Sequence, residues 1–128
     1  MKTLTTSGVQ ISVNTFFRSD LSEINASQFF FNYTVQIENR NDYSVQLISR
    51  DWYIFDSLME ARFITGLGVI GEQPILEPGE SYTYTSGCDL NSEIGQMKGF
   101  YTFKKLNDES TFQVNVPDFT LECNFKLN

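Results

Sequence analysis

The chain has 128 residues, 41% of them hydrophobic and 20% charged, and a formal net charge of −7; this describes one globular domain rather than a disordered or multidomain chain. Sixteen acidic against nine basic residues repel phosphate backbones and argue against a nucleic-acid partner. There is no histidine, which removes Ser-His-Asp and Cys-His nucleophiles, imidazole metal ligands and an imidazole pH switch.

Period-two alternation dominates the chain. Val9, Ile11, Val13, Thr15 and Phe17 alternate with Gln10, Ser12, Asn14 and Phe16, the pattern of a strand with one buried face. Phe29 to Glu38 repeats it, and Asn39-Arg40-Asn41-Asp42 supplies turn chemistry. Between Ser44 and Asp56 the phase changes. Val45 and Leu47 are odd, Trp52 and Ile54 even, so a β-bulge is predicted near Ile48-Ser49. Weaker strands follow at Ala61 to Thr65 and Ser81 to Ser86, and a clearer one from Met97 to Lys105. Leu106 to Ser110 reads as a hairpin loop. Phe112, Val114 and Val116 form a strand that Pro117 is expected to end, since proline cannot donate to the ladder. Phe119, Leu121, Cys123 and Phe125 make a last one. Single helical turns are expected near Leu21-Glu23 and Asn91-Gln96. About eight antiparallel strands, each with one apolar face, must stack two sheets to hide those faces. The prediction is an all-β, immunoglobulin-like or fibronectin type III-like β-sandwich, with a small closed barrel as the alternative.

The opening residues hold no apolar run of signal-peptide type, and no stretch reaches the length of a membrane span. A soluble cytoplasmic protein with no membrane partner is expected. Cys88 and Cys123 form no CxxC motif, so reduced thiols are expected rather than a zinc site or a disulfide. Ser86-Gly87-Cys88 lacks a base or helix terminus to activate its thiol, and no catalytic residue is assigned. Asp118 and Glu122 fall on the outer face of a strand, as solvated charges. No acidic cluster has the spacing of a calcium loop, so no metal ligand and no cofactor is assigned.

Gly66-Leu67-Gly68-Val69-Ile70-Gly71 matches GxGxxG. The motif signals a phosphate cradle when a helix follows, but Glu72-Gln73-Pro74-Ile75-Leu76-Glu77-Pro78 has no helical period. A long glycine-rich loop is the plainer reading. Anion binding at Gly66, Gly68, Gly71, Glu72 and Gln73 through a backbone nest stays open. Arg50 and Trp52 share a strand face, as do Tyr82 and Tyr84. Each pair is a candidate partner-binding platform or, alternatively, core packing. Phe16, Phe30 and Phe100 stand on the outer phase of their strands and would mark a partner site if exposed together.

Several separated motifs resemble the ApaG family. They are Val45-Gln46-Leu47-Ile48-Ser49-Arg50 with Trp52, Gly66-x-Gly68-Val69-x-Gly71-Glu72-Gln73-Pro74, Leu76-x-Pro78-Gly79-Glu80, Tyr84-Thr85-Ser86-Gly87-Cys88-x-Leu90 and Gly95-x-Met97-x-Gly99-x-Tyr101. Thr6-x-Gly8-Val9 near the start and Val116-Pro117-x-Phe119 and Leu127-Asn128 near the end also fit, so residues 1–128 are expected to form a single ApaG domain. The resemblance implies a fibronectin type III-like sandwich in a small cytoplasmic bacterial protein. It also implies a genetic link to cobalt resistance and magnesium efflux without an assigned reaction, relatives that act as protein-interaction modules, and a GxGxxG segment discussed as a pyrophosphate loop. The family's usual Arg-His-Trp is here Arg50-Asp51-Trp52, which weakens any histidine-dependent role. The functional expectation is therefore a non-enzymatic interaction module for an unknown protein partner, with a homodimer through edge strands as an option. The alternative is a sensor of phosphate or nucleotide at the glycine segment.

Overall fold

A computed structural model describes residues 1–57 and 59–123. It contains nine strands: β1 (Lys2–Thr6), β2 (Val9–Phe17), β3 (Phe29–Asn39), β4 (Val45–Asp56), β5 (Arg62–Leu67), β6 (Ile75–Leu76), β7 (Ser81–Leu90), β8 (Ile94–Lys105) and β9 (Thr111–Glu122). All pairings between them are antiparallel. One sheet runs β1-β2-β3-β7; the other runs β5-β4-β8-β9, with β6 added beside β4. The chain is thus a two-layer β-sandwich rather than a closed barrel. No helix among the described residues is long and apolar enough to cross a membrane.

The alternation in the sequence becomes the core directly. Val9, Ile11 and Val13 of β2, and Phe31, Tyr33, Val35 and Ile37 of β3, turn inward from one sheet. Leu47, Trp52 and Ile54 of β4, Tyr101 and Phe103 of β8, and Val114, Phe119 and Leu121 of β9 meet them from the other. Each buried aliphatic or aromatic side chain of this size contributes about 1.5–3 kcal/mol of transfer free energy, so the interlayer is the main source of stability. The bulge expected in β4 is present: Leu47 pairs with Phe103 but Ser49 with Thr102, leaving Ile48 as the extra residue.

Several expectations are corrected. Pro117 does not end a strand. Met97 pairs with Phe119 and Gly99 with Val116, so Pro117 and Asp118 together oppose Lys98 in a second bulge. An extra residue there has no ladder bond for proline to lose, and the buried phase moves from Val114 and Val116 to Phe119 and Leu121. Two predicted strands are therefore one. Residues 91–93 form a bend rather than a helical turn, because the Asp56 carboxylate accepts hydrogen bonds from the Asn91 N–H at 2.6 Å and from the Ser92 hydroxyl. The turn expected near Leu21 is a 3-10 turn at Ser19–Leu21, followed by another at Ile24–Ala26. Strands β1 and β6 have no counterpart in the prediction. Phe125 and Leu127-Asn128 lie outside the described residues.

Asn39 is fully buried where three segments converge. Its Nδ2 donates to the carbonyls of Tyr43 at 2.9 Å and Leu76 at 3.0 Å, and its Oδ1 accepts from the Asn41 N–H at 3.1 Å. Asn39→Ala leaves those buried groups unpaired, at about 1–3 kcal/mol for each one that stays dry. Urea denaturation is expected to show a loss of about 3 kcal/mol with an unchanged m-value.

Candidate functional site

The glycine segment is compact. Gly66 lies within β5, and the segment closes as a tight hairpin rather than a long loop. Val69 N–H donates to the Glu72 carbonyl at 2.8 Å and Glu72 N–H to the Val69 carbonyl at 2.9 Å. The two tip residues, Ile70 and Gly71, have φ of 43° and 80°, the pair of positive values that a two-residue hairpin loop of the right twist demands. Gly68 has φ 63°, and a Cβ there would lie 2.1 Å from the Glu72 carbonyl oxygen, so only glycine fits. Its N–H donates to the Ile48 carbonyl at 2.8 Å, and the Gln73 side-chain amide donates to the same oxygen at 2.9 Å. The N–H groups of Gly68, Val69 and Glu72 are thus spent on backbone carbonyls of the hairpin and of β4 and are not offered to a phosphate. Glu72 adds a carboxylate beside the same segment.

Arg50 explains Gly66. The guanidinium crosses directly over it, where a Cβ would lie 2.9 Å from Nη1, and donates to the carbonyls of Leu67 at 3.0 Å and Gly68 at 2.9 Å. Arg50 is therefore a strap from β4 to the hairpin, and its charge is directed at backbone oxygens rather than held on the Trp52 face. Trp52 is only 3% exposed and stands edge-on to Tyr33, Tyr101 and Phe119 with centroids 5.6, 6.1 and 5.9 Å away. Its indole N–H has no hydrogen-bond partner among the described residues. Tyr84 is buried as well, its hydroxyl 2.5 Å from that of Tyr101 across the interlayer. Trp52 and Tyr84 are thus core residues and offer no surface to a partner. Tyr82 is half-buried and donates to Glu72 Oε2 at 3.0 Å, tying β7 to the hairpin. Farther along the same seam, Arg62 of β5 reaches Asp89 Oδ1 at 3.2 Å and also the Asp89 carbonyl.

The three outward aromatic residues do not meet. Phe16 and Phe30 are on the β1-β2-β3-β7 sheet and Phe100 is on the other. Phe30 is seated over Gly87. A different apolar group, missed in the sequence, occupies the outer face of the β5-β4-β8-β9 sheet. Tyr53 and Phe63 are cross-strand partners with rings T-shaped at 4.4 Å. Phe55, Leu67, Ile75 and Ile94 are exposed on the same face. The alternation of Tyr53 and Phe55 against Trp52 and Ile54 carries that signal, because both phases of β4 are aromatic or aliphatic. Beside Tyr53 a groove of about 590 Å³ runs past Lys98 and Phe100 to Leu4 and Pro117. Asp51 stands on this outer phase, between its partners Thr65 and Phe100. Strand alternation therefore directs it away from the buried Trp52.

Neither cysteine is bonded to the other. Burial pushes the Cys88 thiol up to about 11, against a smaller opposing effect of Arg62. Among the described residues no three Cys, Asp or Glu side chains are grouped to hold a metal ion. The fold and this region together define a small β-sandwich domain whose glycine motif is a structural hairpin strapped by an arginine, beside an exposed aromatic sheet face.

Comparison with known proteins identifies the lineage. The ApaG domain profile matches residues 19–105. Protein ApaG of Methylobacterium radiotolerans is 44% identical over 117 residues, covering 91% of this chain and 89% of that one. Protein ApaG of Mesorhizobium japonicum is 38% identical over the same shares. The crystal structure of an ApaA protein from Bordetella pertussis superposes with a TM-score of 0.87 at 38% identity, covering 91% of this chain and 94% of that chain. The chain belongs to the ApaG family.

Ile70 is a β-branched residue held at positive φ and is 57% exposed, a conformation that costs about 1–3 kcal/mol. Ile70→Asn creates the Asn-Gly pair that this turn favours, and thermal unfolding should report a stabilised protein, by roughly 1 kcal/mol. Alkaline pH should act in the opposite direction. Burial holds the Cys88 thiol and the Tyr33, Tyr84 and Tyr101 hydroxyls above their ordinary values. The folded state therefore keeps protons that the unfolded state releases. Stability is full below pH 9.0, the unperturbed thiol value, and falls as pH rises towards about 11. Urea melts between pH 8 and pH 11 check this: Cys88→Ala should flatten the lower part of the decline, where the thiol is the first of these groups to titrate.

Proposed function

We infer that this member of the ApaG family is a non-enzymatic binding module of the cytoplasm, and that its partner is a protein that docks on the outer face of the β5-β4-β8-β9 sheet. One observation carries the reading: the two outer faces of the sandwich differ in kind. The β1-β2-β3-β7 sheet turns Ser12, Asn14, Thr34, Gln36, Thr83 and Thr85 outward, with Thr34 and Thr85 hydrogen-bonded at 2.8 Å, and carries aromatic rings only at one end, Phe16 and Phe30. The other sheet exposes Tyr53, Phe55, Phe63, Leu67, Ile75 and Ile94. Exposed apolar residues gathered on one sheet face, around the Tyr53–Phe63 ring pair, cost solubility unless a partner covers them. Lys98 lies 5.9 Å from the Phe55 ring and pairs with Asp118 at 3.6 Å, giving that face a polar border.

A phosphate or nucleotide sensor at Gly66, Gly68, Gly71, Glu72 and Gln73 has less support, since the Gly68, Val69 and Glu72 N–H groups are engaged and Glu72 repels anions. The link to cobalt resistance and magnesium efflux that the family resemblance implies is read as indirect, acting through the partner rather than through an ion on this chain.

Affinity capture from the source cell tests the reading. Wild type and a Thr34→Ala/Thr85→Ala variant should retain one stoichiometric protein partner that Tyr53→Ser/Phe55→Ser loses while keeping its circular dichroism spectrum. Pyrophosphate or nucleotide titration should leave the amide resonances of residues 66–73 unmoved. Saturable shifts there at micromolar ligand, or turnover of diadenosine polyphosphates, would overturn the assignment.

A further inference from the structure

Each sheet has two edge strands, and three of the four edges are obstructed. Strand β9 lies against β1 and β2, donates its Asn115 N–H to Thr6 Oγ1 at 3.3 Å, and is bulged at Pro117. Strand β1 is the other side of that contact. Strand β7 is crossed by Arg62, which caps the Asp89 carbonyl, and by the Tyr82–Glu72 bond. Bulges, prolines and covering side chains are the usual means of keeping an edge from pairing. Strand β5, Arg-Phe-Ile-Thr-Gly-Leu, has neither bulge nor proline, and Arg50 caps its edge only at the Leu67 carbonyl.

The hydrogen-bonding phase of β5 follows from one contact. Gly68 N–H donates to the Ile48 carbonyl, and the register places Leu67 opposite Ser49. Bonded pairs alternate along an antiparallel ladder. Gly66, Ile64 and Arg62 therefore bond to β4, and the backbone groups of Phe63, Thr65 and Leu67 point outward from the edge. The Leu67 carbonyl accepts from Arg50 at 3.0 Å and retains a second lone pair.

We propose that β5 pairs antiparallel with β5 of a second copy across a two-fold axis at Thr65, joining two five-stranded layers into one continuous sheet. The sequence is self-complementary in that register. Phe63 lies opposite the second copy's Leu67 on the exposed face, twice, and Thr65 opposite Thr65. On the other face Ile64 lies opposite Gly66, and Arg62 opposite Gly68, where it faces the second copy's Arg50 guanidinium, a like-charge contact that salt screens. Apolar and Thr–Thr cross-strand pairs of this kind stabilise antiparallel ladders, and 57% exposed Phe63 and 74% exposed Leu67 lose water on pairing. The axis makes the contact isologous and closed, which limits assembly to a dimer. The contact is small, and two copies each carry −7, so association is weak and strengthens as salt screens the repulsion. Phe63 and Leu67 belong both to this edge and to the face of the partner reading, and self-association of the purified chain tests the edge alone.

Sedimentation velocity of the full chain between 10 µM and 1 mM, in 0.05 and 0.5 M sodium chloride, tests it. The expected result is a concentration-dependent shift from 14.7 kDa towards twice that mass, tighter at high salt, with amide exchange at Phe63, Thr65 and Leu67 slowing as concentration rises. Thr65→Lys sets two ammonium groups face to face at the axis and should weaken association at least tenfold. Thr65→Pro removes an outward N–H and should do the same, while Thr85→Lys on β7 should not. Circular dichroism and thermal unfolding confirm that each variant is folded. A wild-type chain that stays at 14.7 kDa to 1 mM, or a dimer indifferent to Thr65→Lys, would overturn the proposal.

Discussion

Trp52 of β4 sits edge-on to Tyr33 from the opposing sheet and to Tyr101 and Phe119 from its own, so one indole holds rings of both layers in register. The Tyr84–Tyr101 hydroxyl contact bridges the layers one step nearer the hairpin. Buried hydroxyls must find partners, and these two find each other. The arrangement constrains its neighbours sterically. Gly99 is glycine because a Cβ would come within 2.7 Å of the Trp52 ring and 2.4 Å of the Asp51 carbonyl. Beyond the aromatic set, Arg50 on the same strand phase emerges at the seam and fixes the hairpin by its carbonyls. Core packing and the glycine motif are thus one structure, with Arg50 as the connection.

That connection changes the meaning of GxGxxG. In a dinucleotide-binding unit the glycines clear space for a pyrophosphate above a helix N-terminus. Here Gly66 clears space for the Arg50 guanidinium, Gly68 for the Glu72 carbonyl, and Gly71 completes a two-residue turn. The same spacing serves the chain's own groups, and the spent donors leave the hairpin with an apolar tip at Ile70 and an apolar flank at Leu67.

Much of this fold was legible before any coordinates. The phase shift from Val45 and Leu47 to Trp52 and Ile54 located the β4 bulge, because burial leaves no freedom in which side a residue faces. The β9 sequence carries the same shift, but Pro117 reads as a terminator unless the strand opposite is known. Strand β1 is exposed along most of its length, so it has no apolar rhythm; its order comes from the β2 backbone. For the site, same-face spacing grouped Arg50 with Trp52 and Tyr82 with Tyr84 correctly, but spacing does not say whether a face looks inward. The aromatic outer face escaped for the complementary reason: where both phases of a strand are apolar, as in Trp52-Tyr53-Ile54-Phe55, alternation carries no sign.

The two ends of the β8 strand, a crossover from β7 at one and a hairpin to β9 at the other, differ in how they are held. At one, the buried Asp56 carboxylate pins residues 91 and 92 to β4. At the other, residues 106–110 close through their own groups: Glu109 N–H to the Lys105 carbonyl, and the Asp108 carboxylate to the Ser110 backbone and hydroxyl. That second connection joins the two strands farthest from β5, and its exposed tip makes few bonds to the rest of the domain. A fluorescent reporter or epitope spliced between Asn107 and Asp108 would be carried without disturbing the aromatic face or the open edge, whereas the same graft at Asn91 would tear out a buried anion's partners.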